Sequence, residues 1–252
     1  MRTVLLTTLL VLSPLAGRAQ TADDVVDKYL AARGGVEKIK AVQSERVLGT
    51  ISFGPEGEGR FLVERLRPLK LHIEITLNRQ TFLRVYDGKS SGWTYNPFVP
   101  TPSVTPMTEA EIASIFDEAD FDGPFVDYKA KGNKLELVGK EEVQGKSAHK
   151  LKLTSKRGDT SFFFFDAASG VLLKWEGTRS IGGKEVPWET YFRDFRRVEG
   201  LLYPFLIESD APGSDQTQKI LADKIEINVP IEASRFEKPA PPAPPADPEK
   251  SQ

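Results

Sequence analysis

The chain has 252 residues, 39% hydrophobic and 28% charged, with 34 basic and 36 acidic side chains, 2 histidines and no cysteine. A net charge of −2 with both signs interspersed offers no basic face for nucleic acid. Without cysteine there are no disulfides, thiol nucleophiles or thiolate-bound metals, and no residue to carry a lipid after a leader.

Met1-Arg2, an apolar run from Val4 to Leu15 and then Ala16-Gly17-Arg18-Ala19-Gln20 make the three-part pattern of a secretory signal peptide. The run is too short to span a bilayer. Cleavage after Ala19 is expected, which would leave a soluble, periplasmic protein beginning at Gln20. The expected organisation is a signal peptide at 1–19, one β domain at 20–238 and a disordered or polyproline tail at 239–252, rich in Pro, Ala and charge.

Within Asp23–Arg33, Val25, Val26, Tyr29, Leu30 and Ala32 form a helical stripe, with acids early and Arg33 late to suit the dipole. Gly34-Gly35 stops it, and Val36–Val42 predicts a second short helix. Strand patterns follow at Arg46–Phe53, Arg60–Leu66, Lys70–Leu77, Thr81–Tyr86 and Gly92–Asn96, read as a meander. In Lys70–Leu77, Leu71, Ile73 and Ile75 face one side, and His72 and Glu74 the other. Four prolines in Asn96–Pro106 forbid a central strand there. Thr108-Glu109-Ala110-Glu111 is a capping box, and it opens a third helix to about Ala119, with Ile112, Ile115 and Phe116 expected to face in.

The second half reads as strands at Lys134–Gly139, Ala148–Thr154, Ser161–Phe165, Val171–Thr178, Val186–Phe195, Leu202–Ser209 and Thr217–Val229. Thr160–Thr178 is the strongest hairpin signal. Asp166 is placed to bond the backbone ahead of it and Gly170 to supply positive φ. Pairing Phe165 with Val171 puts Phe163, Phe165, Val171, Leu173 and Trp175 on one face. A two-residue turn at Ala168-Ser169 would exchange the phenylalanine faces. About 11 or 12 antiparallel strands exceed what one open twisted sheet holds comfortably, so strong curvature or a barrel is expected.

Catalytic chemistry has no support in the sequence. His72 and His149 stand alone in sequence and read as surface histidines. There is no nucleophile elbow, phosphate loop or dinucleotide fingerprint. Asp117, Glu118, Asp120 and Asp122 lack the spacing of a calcium loop. No metal or cofactor is expected.

Val26–Gly35 with Ile39, Tyr86-Asp87-Gly88 with Gly92-Trp93, Phe164-Phe165-Asp166 with Gly170-Val171-Leu172, Phe195–Phe205, and Lys224–Ile231 with Phe236 occur in an order that resembles the bacterial outer-membrane lipoprotein-sorting proteins, the LolA/LolB and LppX-like group. The resemblance covers most of the chain after the leader. It implies a mainly β fold: an unclosed, highly curved antiparallel β-barrel whose concave face is covered by helices. It also implies a soluble, monomeric periplasmic carrier of the acyl chains of lipoproteins or lipids, serving inner- and outer-membrane sorting components. The resemblance assigns the family's lid-locking arginine to no particular position here, so it implies no release mechanism. The alternative reading is a non-catalytic envelope module that docks a protein partner.

On the carrier reading, strand parity selects a cargo wall of Leu71, Ile73, Ile75, Trp93, Tyr95, Phe163, Phe165, Leu173 and Trp175. The third helix lies over it through Ile112, Ile115 and Phe116.

Overall fold

The computed structural model describes residues 20–181, 184–210 and 217–241, and the signal-peptide reading and most of the expected tail lie outside them. Helix α1 (Ala22–Arg33) opens on a capping box. The Thr21 side chain accepts from the Asp24 amide, and the Asp24 carboxylate accepts from the Thr21 amide at 2.8 Å. Gly34, at φ 130°, ends it, and α2 (Val36–Ala41) follows. Helix α3 (Glu109–Ala119) begins with the expected capping box at Thr108.

The remainder is one antiparallel sheet, with 13 strands among the described residues. They are β1 (Ser44–Ser52), β2 (Glu58–Leu66), β3 (Lys70–Leu77), β4 (Gln80–Tyr86), β5 (Gly92–Tyr95), β6 (Val104–Pro106), β7 (Lys134–Val143), β8 (Lys146–Thr154), β9 (Thr160–Asp166), β10 (Leu172–Ile181), β11 (Lys184–Val198), β12 (Leu201–Asp210) and β13 (Thr217–Ile227). The order across the sheet is β6-β5-β4-β3-β2-β1-β13-β12-β11-β10-β9-β8-β7. Two differences from the sequence reading concern its edges. The proline-rich stretch contributes β6, a three-residue strand that survives because an edge needs no second set of amides. Strand β7 runs on to Val143 past a bulge after Leu137.

The sheet does not close, because β6 and β7 are its two edges and do not pair. It is nevertheless bent. Flat, a sheet of 13 strands would hold its outermost strands about 58 Å apart. The chain crosses from β6 to β7 within residues 107–133. The 11 residues of α3 supply about 16 Å of that span, and 121–132 is folded into successive turns.

The helices lie on one face, here the inner face. Under α1 and α2, Val25, Val26, Leu30 and Ile39 pack with Phe121, Phe125 and Val126 against Leu151, Leu153, Phe163 and Phe165. The rings of Tyr29, Phe125, Phe163 and Phe165 meet edge-on or tilted at 4.8–5.5 Å. Under α3, a second cluster joins Ile115 and Ala119 to Leu71, Ile73 and Tyr86. Two arginines fasten these covers to the end of β2. Arg67 donates to the main-chain oxygens of Val42 (2.6 Å) and Ile39 (3.1 Å) and pairs with Asp122 (2.7 Å). Arg65 donates to the main-chain oxygen of Glu118.

On the outer face, the chain after β13 crosses β3 and β4 and docks a 3-10 turn, Ala233–Phe236. Phe236 is buried there, and Arg235 pairs with Glu64 and Glu74, each at 2.7 Å. Neither histidine is the surface residue expected from sequence. His72 is buried, with Nδ1 at 2.7 Å from the Arg235 oxygen and Nε2 at 2.8 Å from Glu74. The docked turn covers what a bare strand face would expose. His149 is buried as well, and its Nδ1 meets no hydrogen-bond partner among the described residues.

Candidate functional site

The hairpin β9–β10 is turned by Asp166, whose Oδ1 accepts from the amides of Ala168 (2.9 Å) and Ser169 (2.6 Å), and Gly170 takes φ 78°. Its register departs from the expected one. Phe165 opposes Leu172 and Phe163 opposes Trp175, with a bulge between Leu172 and Lys174. The bulge accommodates Leu173 as an extra residue. Leu172 and Trp175 therefore join Phe163 and Phe165 on the inner face, and Leu173 packs outward beside Phe164.

The residues expected to line one wall are divided among separate places. Leu71, Ile73 and Ile75 lie on the inner face beneath Ile112 and Ile115 of α3. Trp93 and Tyr95 lie on the outer face. They oppose Val85 and Leu83, which in turn oppose His72 and Glu74. The turn between β4 and β5 aligns Tyr86 with Gly92, and that parity sends Trp93 outward. Phe116 is 40% exposed, because Ile112, Ile115 and Ala119 form the seated stripe of α3 and Phe116 falls on its flank. Phe163, Phe165 and Trp175 sit under α1, with Phe165 at 0% exposure.

A larger, more polar hollow of about 390 Å³ lies on the outer face beside His72, Glu74 and Arg235, and the apolar open space is elsewhere, where the sheet parts. Strands β10 and β11 pair from Ile181–Lys184 up to Lys174–Tyr191 and then separate. Strand β10 stays with β9 as far as Leu172, and β11 stays with β12 as far as Val198. Between the diverging pairs is an apolar cavity of about 180 Å³. Val171 and Leu172 form one side, and Phe192, Phe195, Leu202 and Pro204 the other. Tyr29, Ala32 and Arg33 of α1 form the back with Tyr203. It is smaller than the roughly 300–1,000 Å³ of typical small-molecule sites. None of the cargo-wall residues chosen from sequence lines it. The available signal was Phe192 and Phe195 standing three apart across Asp194, which has φ 50° and breaks strand alternation.

Polar groups gather behind this slot. Burial and the neighbouring Glu45 push the Tyr203 phenol far above its ordinary range, so it stays a neutral donor. Burial opposes the charge of Arg33, but Tyr29, Tyr203 and Glu45 outweigh it and hold the guanidinium as a cation. Glu45 is itself buried and paired with Arg65. The slot is thus a greasy opening backed by one cation and two phenols, with no nucleophile–base pair in its lining. Among the described residues, no group of His, Cys, Asp or Glu could hold a metal ion, and no helix is long and apolar enough to cross a membrane.

No family model and no curated protein sequence matches the chain significantly. Solved structures match its shape. A protein of the DUF1329 family from Desulfovibrio piger is 13% identical with a TM-score of 0.58, over 86% of this chain and 97% of that one. A LolA superfamily protein from Nitrosomonas europaea is 16% identical with a TM-score of 0.57, over 87% and 99%. A domain assigned to outer membrane lipoprotein sorting from Vibrio parahaemolyticus is 11% identical with a TM-score of 0.55, over 85% and 95%. At these identities the likeness is one of fold: a mainly β chain, with helices on one face of an antiparallel sheet, built like the LolA superfamily protein over nearly its whole length.

Proposed function

We propose that the protein is a non-catalytic, monomeric carrier of acyl chains, from lipids or lipoproteins, that works in the periplasm after loss of residues 1–19. The observation that carries this reading is the apolar slot between β10 and β11, which leads from solvent to the underside of α1. Each methylene withdrawn from water there contributes about 0.8 kcal/mol, so a chain can be held without a charged contact. Arg33 and the phenols of Tyr29 and Tyr203 suit the polar end of such a molecule. Because the cavity is small as it stands, loading requires α1 or the β11–β12 arm to move outward, and the inner-face residues of the sequence reading, Phe163, Phe165 and Trp175, become reachable only then. The fold shared with a LolA superfamily protein and with a lipoprotein-sorting domain supports the same reading.

The test is native mass spectrometry of gently purified protein, with uptake of a fluorescent fatty acid. Ala32→Phe fills the slot from the helix side and should cut uptake at least tenfold with little change in melting temperature. An empty wild-type protein that takes up no fatty acid would sink the carrier reading in favour of a protein-docking module.

A further inference from the structure

We infer that the loop between β5 and β6 is a membrane-docking element that seats Phe98 and Val99 in the interfacial layer of a lipid bilayer. The surface is separate from the slot, and the inference stands whatever the slot holds. Phe98 is 52% exposed and Val99 42%, neighbours in sequence and among the few large apolar side chains left bare. Residues 98–103 are all exposed, so no other described element covers the loop.

The loop is held rigidly from below. Tyr95 pairs with Val104, Thr94 with Thr105 and Trp93 with Pro106. The Asn96 Oδ1 accepts from the Phe98 amide at 2.9 Å, and the Met107 amide donates to the Gly92 oxygen at 2.9 Å. Pro97, Pro100 and Pro102 fix their own φ. Two large apolar side chains are therefore displayed at little further cost in conformational entropy.

Charge selects a bilayer over a protein groove. No charged residue occurs from Gly92 to Thr108, in a chain that is 28% charged. The rim of a protein interface accommodates ions readily, whereas the acyl boundary of a membrane penalises any ion placed in it. The prolines serve the same end, since each removes an amide donor that would otherwise lose its water on insertion. Phe and Val at the tip, with Asn, Thr and Ser below, match the depth profile of an interfacial anchor.

The test is flotation of the full protein with vesicles of phosphatidylethanolamine and phosphatidylglycerol, at low and at high salt. Wild type should float in both, because the contact is apolar, and the double variant Phe98→Ser, Val99→Ser should float about tenfold less. Leu221→Ser, which removes an equally exposed side chain on β13, should change nothing. Phe98→Trp should give blue-shifted emission that brominated acyl chains quench. Equal flotation of the double variant, binding abolished by salt, or indole emission from the Phe98→Trp variant that is blind to vesicles would each overturn the inference. Wild type that ignores vesicles while the loop cross-links to a protein would do the same.

Discussion

Arg65 donates through Nε to the main-chain oxygen of Glu118 at 2.9 Å, while its Nη1 meets the buried carboxylate of Glu45. A side chain of the sheet thus satisfies one of the carbonyls that the last turn of α3 leaves without a helical partner. Arg84 reinforces the join by pairing with the Glu118 carboxylate at 3.1 Å.

Removing Arg65 alone would strand Glu45 as a buried charge and blur the result. The double variant Arg65→Gln, Glu45→Gln avoids this. A charge-assisted hydrogen bond contributes about 1.5–3 kcal/mol, so amides of α3 should exchange with solvent at least tenfold faster, while those of β8 and β9 keep their protection. Unchanged exchange in α3 would show that Leu71, Ile73 and Ile115 suffice to hold it.

The outer-face contacts of Glu74 make a prediction in acid. Its hydrogen bond with His72, and then Arg235, hold its pKa at about 2, against 4.5 for the free side chain. The stabilisation is complete above about pH 4.5 and is lost as pH falls toward 2. It amounts to something on the order of 2–3 kcal/mol. Glu74→Gln should therefore flatten the fall in urea midpoint between pH 5 and 3. An equally steep fall in the variant would assign acid sensitivity elsewhere.

His149 acts in a higher window. Burial, then Lys140 and Lys28, lower its pKa, so the folded chain binds this proton less readily than the unfolded one. Stability should decline as pH drops below about 6.5, the value of an unburied histidine. His149→Leu, which cannot titrate, should lose that slope between pH 7 and 5 when melting temperatures are compared with wild type. A slope unaltered by the substitution would mean the site opens to water.

What the sequence made legible was local. Alternation in Lys70–Leu77, the Thr108 capping box, and the Asp166 and Gly170 turn each rest on contacts a few residues apart. The side chains that supply them are visible in one short window. Three features were hidden because they depend on counting across a turn or a gap. The face of Trp93 and Tyr95 depends on how many residues the turn after Tyr86 absorbs. The face of Leu173 depends on a bulge whose insertion no residue type announces. The slot arises where β10 and β11 part, a relation between strands that neither states alone. His72 was misread for a similar reason, since the turn that buries it arrives more than 150 residues later in the chain.

The strand order also bears on how the chain finds this shape. Every neighbouring pair in the sheet is consecutive in sequence except β1 with β13. Hairpins of that kind close short loops and form in microseconds. The seam between β1 and β13 closes a loop spanning most of the chain and meets the entropy of that closure last. Its register, Ile51 against Ile220 and Glu45 against Ile227 with a bulge after Leu48, has to be found between two preformed meanders. Refolding speed should then be set at this seam, and a chain caught before it zips would present two bare strand edges to its neighbours in solution.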